Sequence, residues 1–70
     1  MTTLILKGDH ITLAQALKSA GLADTGGQAN YVVREGEVAV NGVVETQPGR
    51  KLRVGDRFRR GVGPEWRIAE

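Results

Sequence analysis

The chain has 70 residues, a formal net charge of +2 and no cysteine. A chain of that length is one domain, 1–70, whose core is thin, because folding hides only about 60% of the unfolded surface at this size. Disulfides and thiolate metal sites are excluded, no apolar run approaches the roughly 20 residues that cross a bilayer, and the N-terminus lacks the basic flank and apolar stretch of a secretory signal.

A soluble, cytoplasmic monomer is the expectation. Residues 3–7 begin the chain as a short strand, with Leu4 and Leu6 alternating against Ile5 and Lys7. Gly8 and Asp9 break it. Thr12 then opens a helix, and Gln15 three residues on completes a capping box. Ile11 can staple against Ala16. Leu13, Ala16, Leu17 and Ala20 recur at helical spacing and form the buried stripe. Gly21 ends the helix, because it accepts the left-handed conformation required there, and Leu22 folds back over that end.

Thr25 and Gln28 repeat the capping-box spacing and open a second helix, with Ala29, Val32 and Val33 on its apolar side and Gly36 as its stop. Neither helix is long enough to hold alone. The remaining chain supplies what they lie on. Residues 37–40 alternate, and Asn41-Gly42 follows, the pair that suits a type I′ hairpin turn. Residues 43–45 begin the return strand. Pro48-Gly49 fits the centre of a type II turn. Leu52 and Val54 are expected to face inward, with Lys51 and Arg53 outward. Gly55-Asp56 turns the chain into residues 57–60, and residues 65–68 form a last alternating strand. The fold class is α+β: a two-helix hairpin on one face of a small, mainly antiparallel sheet.

Catalysis finds little support. His10 sits in a turn, Ser19 shows no sign of activation in the sequence, and Asp24 and Asp56 flank turns where aspartate is commonplace. No spacing of His, Cys or carboxylates suggests a metal site. No cofactor is implied.

Charge distribution says more than net charge. Residues 46–60 hold six basic side chains against one acid, whereas residues 1–45 hold three against five. Most of that basic stretch is arginine, which forks onto phosphate and stacks on bases. It is either a solvated face or the footprint of a polyanion partner.

Three segments could form one nucleic-acid surface. The first is the helix start Thr25, Gly26, Gly27 and Gln28, whose free N–H groups attract phosphate and whose glycines leave the backbone bare. The second is the outer face of that helix, where Gly27, Asn30 and Arg34 align. Tyr31 beside them is read as lying along the core with its hydroxyl exposed. The third is the basic turn with Arg50, Lys51 and Arg53. Phe58 and Trp66 are read as core, which favours phosphate and shape recognition of structured RNA over base stacking.

The run Thr25-Gly-Gly-Gln-Ala29, then Gly36-Glu-Val-Ala-Val-Asn-Gly42, the basic turn and Gly55-Asp56, resembles the RNA-binding domain named after ribosomal small-subunit protein S-four. The resemblance spans about residues 11–58. Asp24 to Ala29 and Val44-Glu45-Thr46 resemble its small stand-alone bacterial members more closely. It implies the alpha-L RNA-binding fold and a partner such as ribosomal or transfer RNA, met through the second helix and the following loop, with the ribosome as a further partner. Gly26, Asn30 and Gln47 stand where the family commonly carries charge, so a weaker, shape-reading binder is expected. The alternative is a protein-interaction module, ribosome-associated for example, whose basic patch serves solubility.

Overall fold

The computed structural model describes residues 2–70. Nine short elements follow one another: β1 (Thr2–Ile5), β2 (Ile11–Thr12), α1 (Leu13–Ser19), α2 (Gly26–Arg34), β3 (Val38–Val40), β4 (Val43–Val44), β5 (Lys51–Leu52), β6 (Arg57–Arg60) and β7 (Trp66–Ala69).

Both helices start and stop where local chemistry directs. Thr12 Oγ1 accepts from Gln15 N–H at 3.2 Å while Gln15 Oε1 accepts from Thr12 N–H at 3.1 Å, a complete capping box. At α2 the device is displaced by one residue. Thr25 Oγ1 accepts from Gln28 N–H at 3.1 Å, but the Gln28 side chain reaches back to Asp24 N–H, at 2.6 Å. Both helices end in a Schellman pair: Leu22 N–H donates to Leu17 and Gly21 N–H to Lys18, then Glu37 N–H to Val32 and Gly36 N–H to Val33. The φ values of +75° at Gly21 and +77° at Gly36 are what those motifs require.

Asn41 and Gly42 have φ of 51° and 83°, the two left-handed residues of a type I′ turn, and they join β3 to β4 with Val40 opposite Val43. The main sheet runs β1-β7-β6-β3-β4. Its pairs are antiparallel except β1–β7, which is parallel. A second, two-stranded sheet joins β2 to β5, with Ile11 opposite Leu52. The helices cover one face of the main sheet. Leu13 and Leu17 of α1 and Ala29, Val32 and Val33 of α2 close on Val38, Val40, Phe58 and Ile68, and all of these are buried. Phe58 and Trp66 stack, with centroids 6.3 Å apart and planes 17° apart.

Several expectations are corrected. The first strand ends at Ile5, two residues early. Val54 does not face inward and is 50% exposed. The strand ends at Leu52, and the chain leaves it in a turn closed by Asp56 N–H donating to the Arg53 carbonyl. Pro48-Gly49 is not a type II turn. Arg50 N–H does close it onto the Gln47 carbonyl at 3.1 Å, but Gly49 is not among the residues with positive φ. The left-handed residue falls in the next turn, at Gly55, with φ of 97°.

Candidate nucleic-acid interface

The basic turn is built from its backbone outward. Leu13 N–H donates to the Arg50 carbonyl at 2.8 Å and Ala14 N–H to the Pro48 carbonyl at 3.0 Å. These amides belong to the first turn of α1, where no intrahelical partner exists. The turn thus caps α1, and α1 anchors the turn. On its other side stands Glu45. Its carboxylate accepts from the N–H groups of Thr46 and Gln47 and from Arg50 Nη1 at 2.9 Å. The Arg50 guanidinium, helped by those amides, holds the Glu45 carboxyl below its ordinary pKa against the opposing effect of burial.

Arg50 is therefore a paired residue, with a guanidinium committed to Glu45. Lys51 and Arg53 differ. Both are exposed, as expected from an inward Leu52, and neither forms an ion pair among the described residues. Asp56 fixes the end of the turn, where Oδ2 accepts from Arg53 N–H at 2.8 Å. Burial raises its pKa, but the bonds from Arg53 N–H and the Asn41 amide outweigh that, aided by the charges of Arg50 and Arg53. The carboxyl lies below its ordinary value as a result.

At the start of α2, Thr25, Gly27 and Gln28 are exposed and Gly26 is partly so. A methyl group added at Gly26 would meet nothing within 4 Å, and at Gly27 only the Thr25 hydroxyl at 3.9 Å. Neither glycine has positive φ. Packing and backbone conformation therefore leave both positions free to carry a side chain, and neither does. Thr25 caps the amide of Gln28, and its carbonyl takes that of Ala29.

Along the helix, Arg34 is exposed, Asn30 is half-buried and Tyr31 is 62% exposed. The expectation that Tyr31 lies along the core is overturned. The apolar side of α2 is filled by Ala29, Val32 and Val33, and position 31 points away from it. An exposed aromatic beside Arg34 is a feature that spacing alone left ambiguous. The two candidate segments lie at opposite ends of α1: the basic turn sits at its first residues, and the link to α2 leaves its last. Seven helical residues, about 10 Å of rise, separate those ends.

Arg57 and Arg60 of the basic stretch are partly engaged elsewhere. Arg60 Nη1 donates to the Leu22 carbonyl at 2.6 Å, and its Nη2 lies 3.8 Å from Glu37. Arg57 lies 3.8 Å from Glu65. Among the described residues no group of His, Cys, Asp and Glu could hold a metal ion. No helix of the structure is long and apolar enough to cross a membrane.

Residues 4–63 match the family model described as S4 domain. RlbA of Bacillus subtilis (strain 168), named "Probable ribosome maturation protein", is 48% identical over 48 residues, which cover 69% of this chain and 68% of that protein. YbcJ of Escherichia coli (strain K12), named "Putative RNA-binding protein", is 39% identical over 49 residues, 70% of each chain. The solution structure of Escherichia coli YbcJ, described as revealing an alpha-L motif involved in RNA binding, matches with a TM-score of 0.74 and 32% identity. That match covers 100% of this chain and 89% of YbcJ. With its two capped helices, its Asn-Gly hairpin and its basic turn in this order, the chain belongs to the S4 domain family.

Proposed function

We propose that the chain is a non-catalytic module that binds structured RNA, with ribosomal or transfer RNA as the classes that its family resemblance implies. The observation that carries this reading is the basic turn. It is anchored on the α1 amides and shaped by Glu45, and it holds Lys51 and Arg53 exposed, with no ion pair to either among the described residues. A pre-shaped loop loses little entropy on binding.

In this reading Lys51 and Arg53 neutralise phosphates. The amides of Gly26 and Gly27 take one more at the positive end of the α2 dipole. Thr25, Gln28 and Asn30 offer hydrogen bonds around that point, and Arg34 and Tyr31 fix register along the helix. Arg50, paired to Glu45, sets the shape of the turn more than it neutralises phosphate. The names of RlbA and YbcJ support ribosomal and RNA partners as the class. The domain acts as one unit, 1–70, monomeric, in the cytoplasm.

A salt titration against a structured RNA hairpin tests the reading. With about three to five phosphate contacts, log affinity falls with log salt at roughly −0.7 to −0.9 per contact. Absence of binding at low salt, or binding indifferent to salt, overturns it.

One observation favours a second reading, as a protein-interaction module. Strand β4 is a sheet edge whose Val43 and Val44 are 68% and 62% exposed. Size-exclusion of cell extract before and after ribonuclease separates the two. A complex that survives ribonuclease supports the edge strand.

A further inference from the structure

The main sheet has a face that the helices do not cover. Side chains alternate across a strand, so Phe58 and Arg60 of β6 point to the helices while Arg57 and Arg59 point away. The register carries the same alternation to β7, where Arg67 pairs with Arg57 and Trp66 with Phe58. Arg57, Arg59 and Arg67 therefore share the open face, and all are exposed. Directly opposed residues have Cβ atoms about 5 Å apart. Two steps along a strand are about 6.6 Å. The guanidinium stems thus rise from a patch less than about 10 Å across.

This arrangement runs against sheet stability. Like charges directly opposite one another weaken an antiparallel pair. The acid nearest to them is Glu65, 3.8 Å from Arg57 and partly exposed, an ion pair too loose and too wet to contribute much. Arg60 shows the contrast. On the helix side of the same strand it is tied to the Leu22 carbonyl and to Glu37. The residues paired with them are small, Ala39 opposite Arg59 and Thr3 opposite Arg67, and the same face carries exposed Ile5 and Val44 farther out. The aromatic rings of Phe58 and Trp66 lie on the other side, so nothing here stacks on a base.

The patch follows the basic turn directly along the chain. Asp56 accepts from Arg53 N–H, and the next residue is Arg57.

We propose that the open face of the sheet is a second phosphate-binding surface, on which Arg57, Arg59 and Arg67 take the backbone of the same structured RNA that the basic turn engages. The proposal rests on the RNA-binding reading above and extends it. The chemistry fits the phosphate backbone: three guanidiniums that among the described residues are unpaired or loosely paired, small residues paired opposite Arg59 and Arg67, and no aromatic ring on this face. The contact is indifferent to sequence and lets RNA wrap from the turn around the sheet.

The test uses the full chain, an RNA hairpin of about 20 base pairs, and the triple variant Arg57→Thr, Arg59→Thr, Arg67→Thr. Threonine keeps strand propensity while removing charge. The salt slope of the variant is expected to be shallower by about 2.7 than that of the wild type, at 0.9 per contact. Between 50 and 200 mM salt the wild type should therefore lose about 40-fold more affinity than the variant. An unchanged slope in a folded variant overturns this proposal and leaves the basic-turn reading standing. A wild-type chain that binds no hairpin at low salt overturns both.

A second measurement does not depend on the variant folding. In the wild type, amide resonances of residues 57–60 and 66–69 are followed as hairpin is added. Shifts in both strands support the surface. Shifts confined to residues 25–34 and 47–53 overturn it.

Discussion

Asn41 donates from its side-chain amide to Asp56 Oδ1 at 3.1 Å, across 15 residues of chain. The same amide's Oδ1 accepts from Arg57 N–H at 2.9 Å, and Asp56 Oδ2 accepts from Arg53 N–H. The hairpin turn and the Gly-Asp turn are therefore one hydrogen-bonded unit. Asparagine at position 41 serves twice, tolerating φ of 51° and holding the neighbouring turn. Asp56, which sequence placed among ordinary turn aspartates, joins the hairpin to the end of the basic turn.

Asp56→Ala should destabilise the fold by about 1–3 kcal/mol, because Arg53 N–H and the Asn41 amide each lose an acceptor. Asn41→Gly keeps the left-handed turn while removing the side-chain bonds, so its cost isolates the link. The two changes together should cost less than their sum, since they break the same contact. Urea unfolding of the single and double variants measures this. Strict additivity would show that the link is incidental.

Acid should loosen this region first. Glu45 and Asp56 both have folded pKa values below their ordinary values of 4.5 and 3.8. Each binds its proton less readily folded than unfolded, so its contribution is fully present above the ordinary value. That contribution declines as pH falls through the lower folded value. Stability followed from pH 6 to pH 2 should drop across this range, and less so in Asp56→Asn, which cannot titrate. An equal pH dependence in wild type and Asp56→Asn would remove Asp56 from the account.

The glycine pair at the α2 start yields opposite signs for stability and binding. Gly26→Ala and Gly27→Ala introduce a methyl group into open space at ordinary φ. Each should leave stability unchanged or raise it by up to about 1 kcal/mol, through a less flexible unfolded chain. RNA affinity should fall several-fold, because the methyl crowds a phosphate approaching the helix start. Thermal melts and hairpin titrations of the same variants check both. A variant more stable and equally tight in binding would show that no phosphate approaches there.

Within the basic turn, the charges should not count equally. Lys51→Gln and Arg53→Gln should each make the salt slope shallower by about 0.7–0.9. The charge-neutral double change Glu45→Gln with Arg50→Gln should leave the slope nearly unchanged, since it removes a pair already satisfied internally. A large loss of slope in that double variant would show that Arg50 leaves Glu45 for phosphate.

The legible parts of this protein are those decided within three or four residues. Thr12 with Gln15, Thr25 with Gln28, the glycine stops and Asn41-Gly42 were readable because caps and turns depend on neighbours in the chain. The apolar stripes of both helices followed from period alone. Even so, the α2 box closed on Asp24 and not on Thr25, and Val54 turned outward when its strand stopped short at Leu52.

What sequence determined by itself is thus the order of the helices and of the main-sheet strands, the helix ends and most of the buried residues, because local geometry and hydrophobicity act without reference to distant chain; the pairing of β2 with β5 was not among them. Only tertiary structure decided where the charges go. It gave Arg50 to Glu45 and Arg60 to Leu22 and Glu37, left Tyr31 exposed, and sent Arg57, Arg59 and Arg67 to one open face. A long polar side chain has almost no preference of its own on a wet surface. Its role depends on which partner the fold brings within about 3 Å.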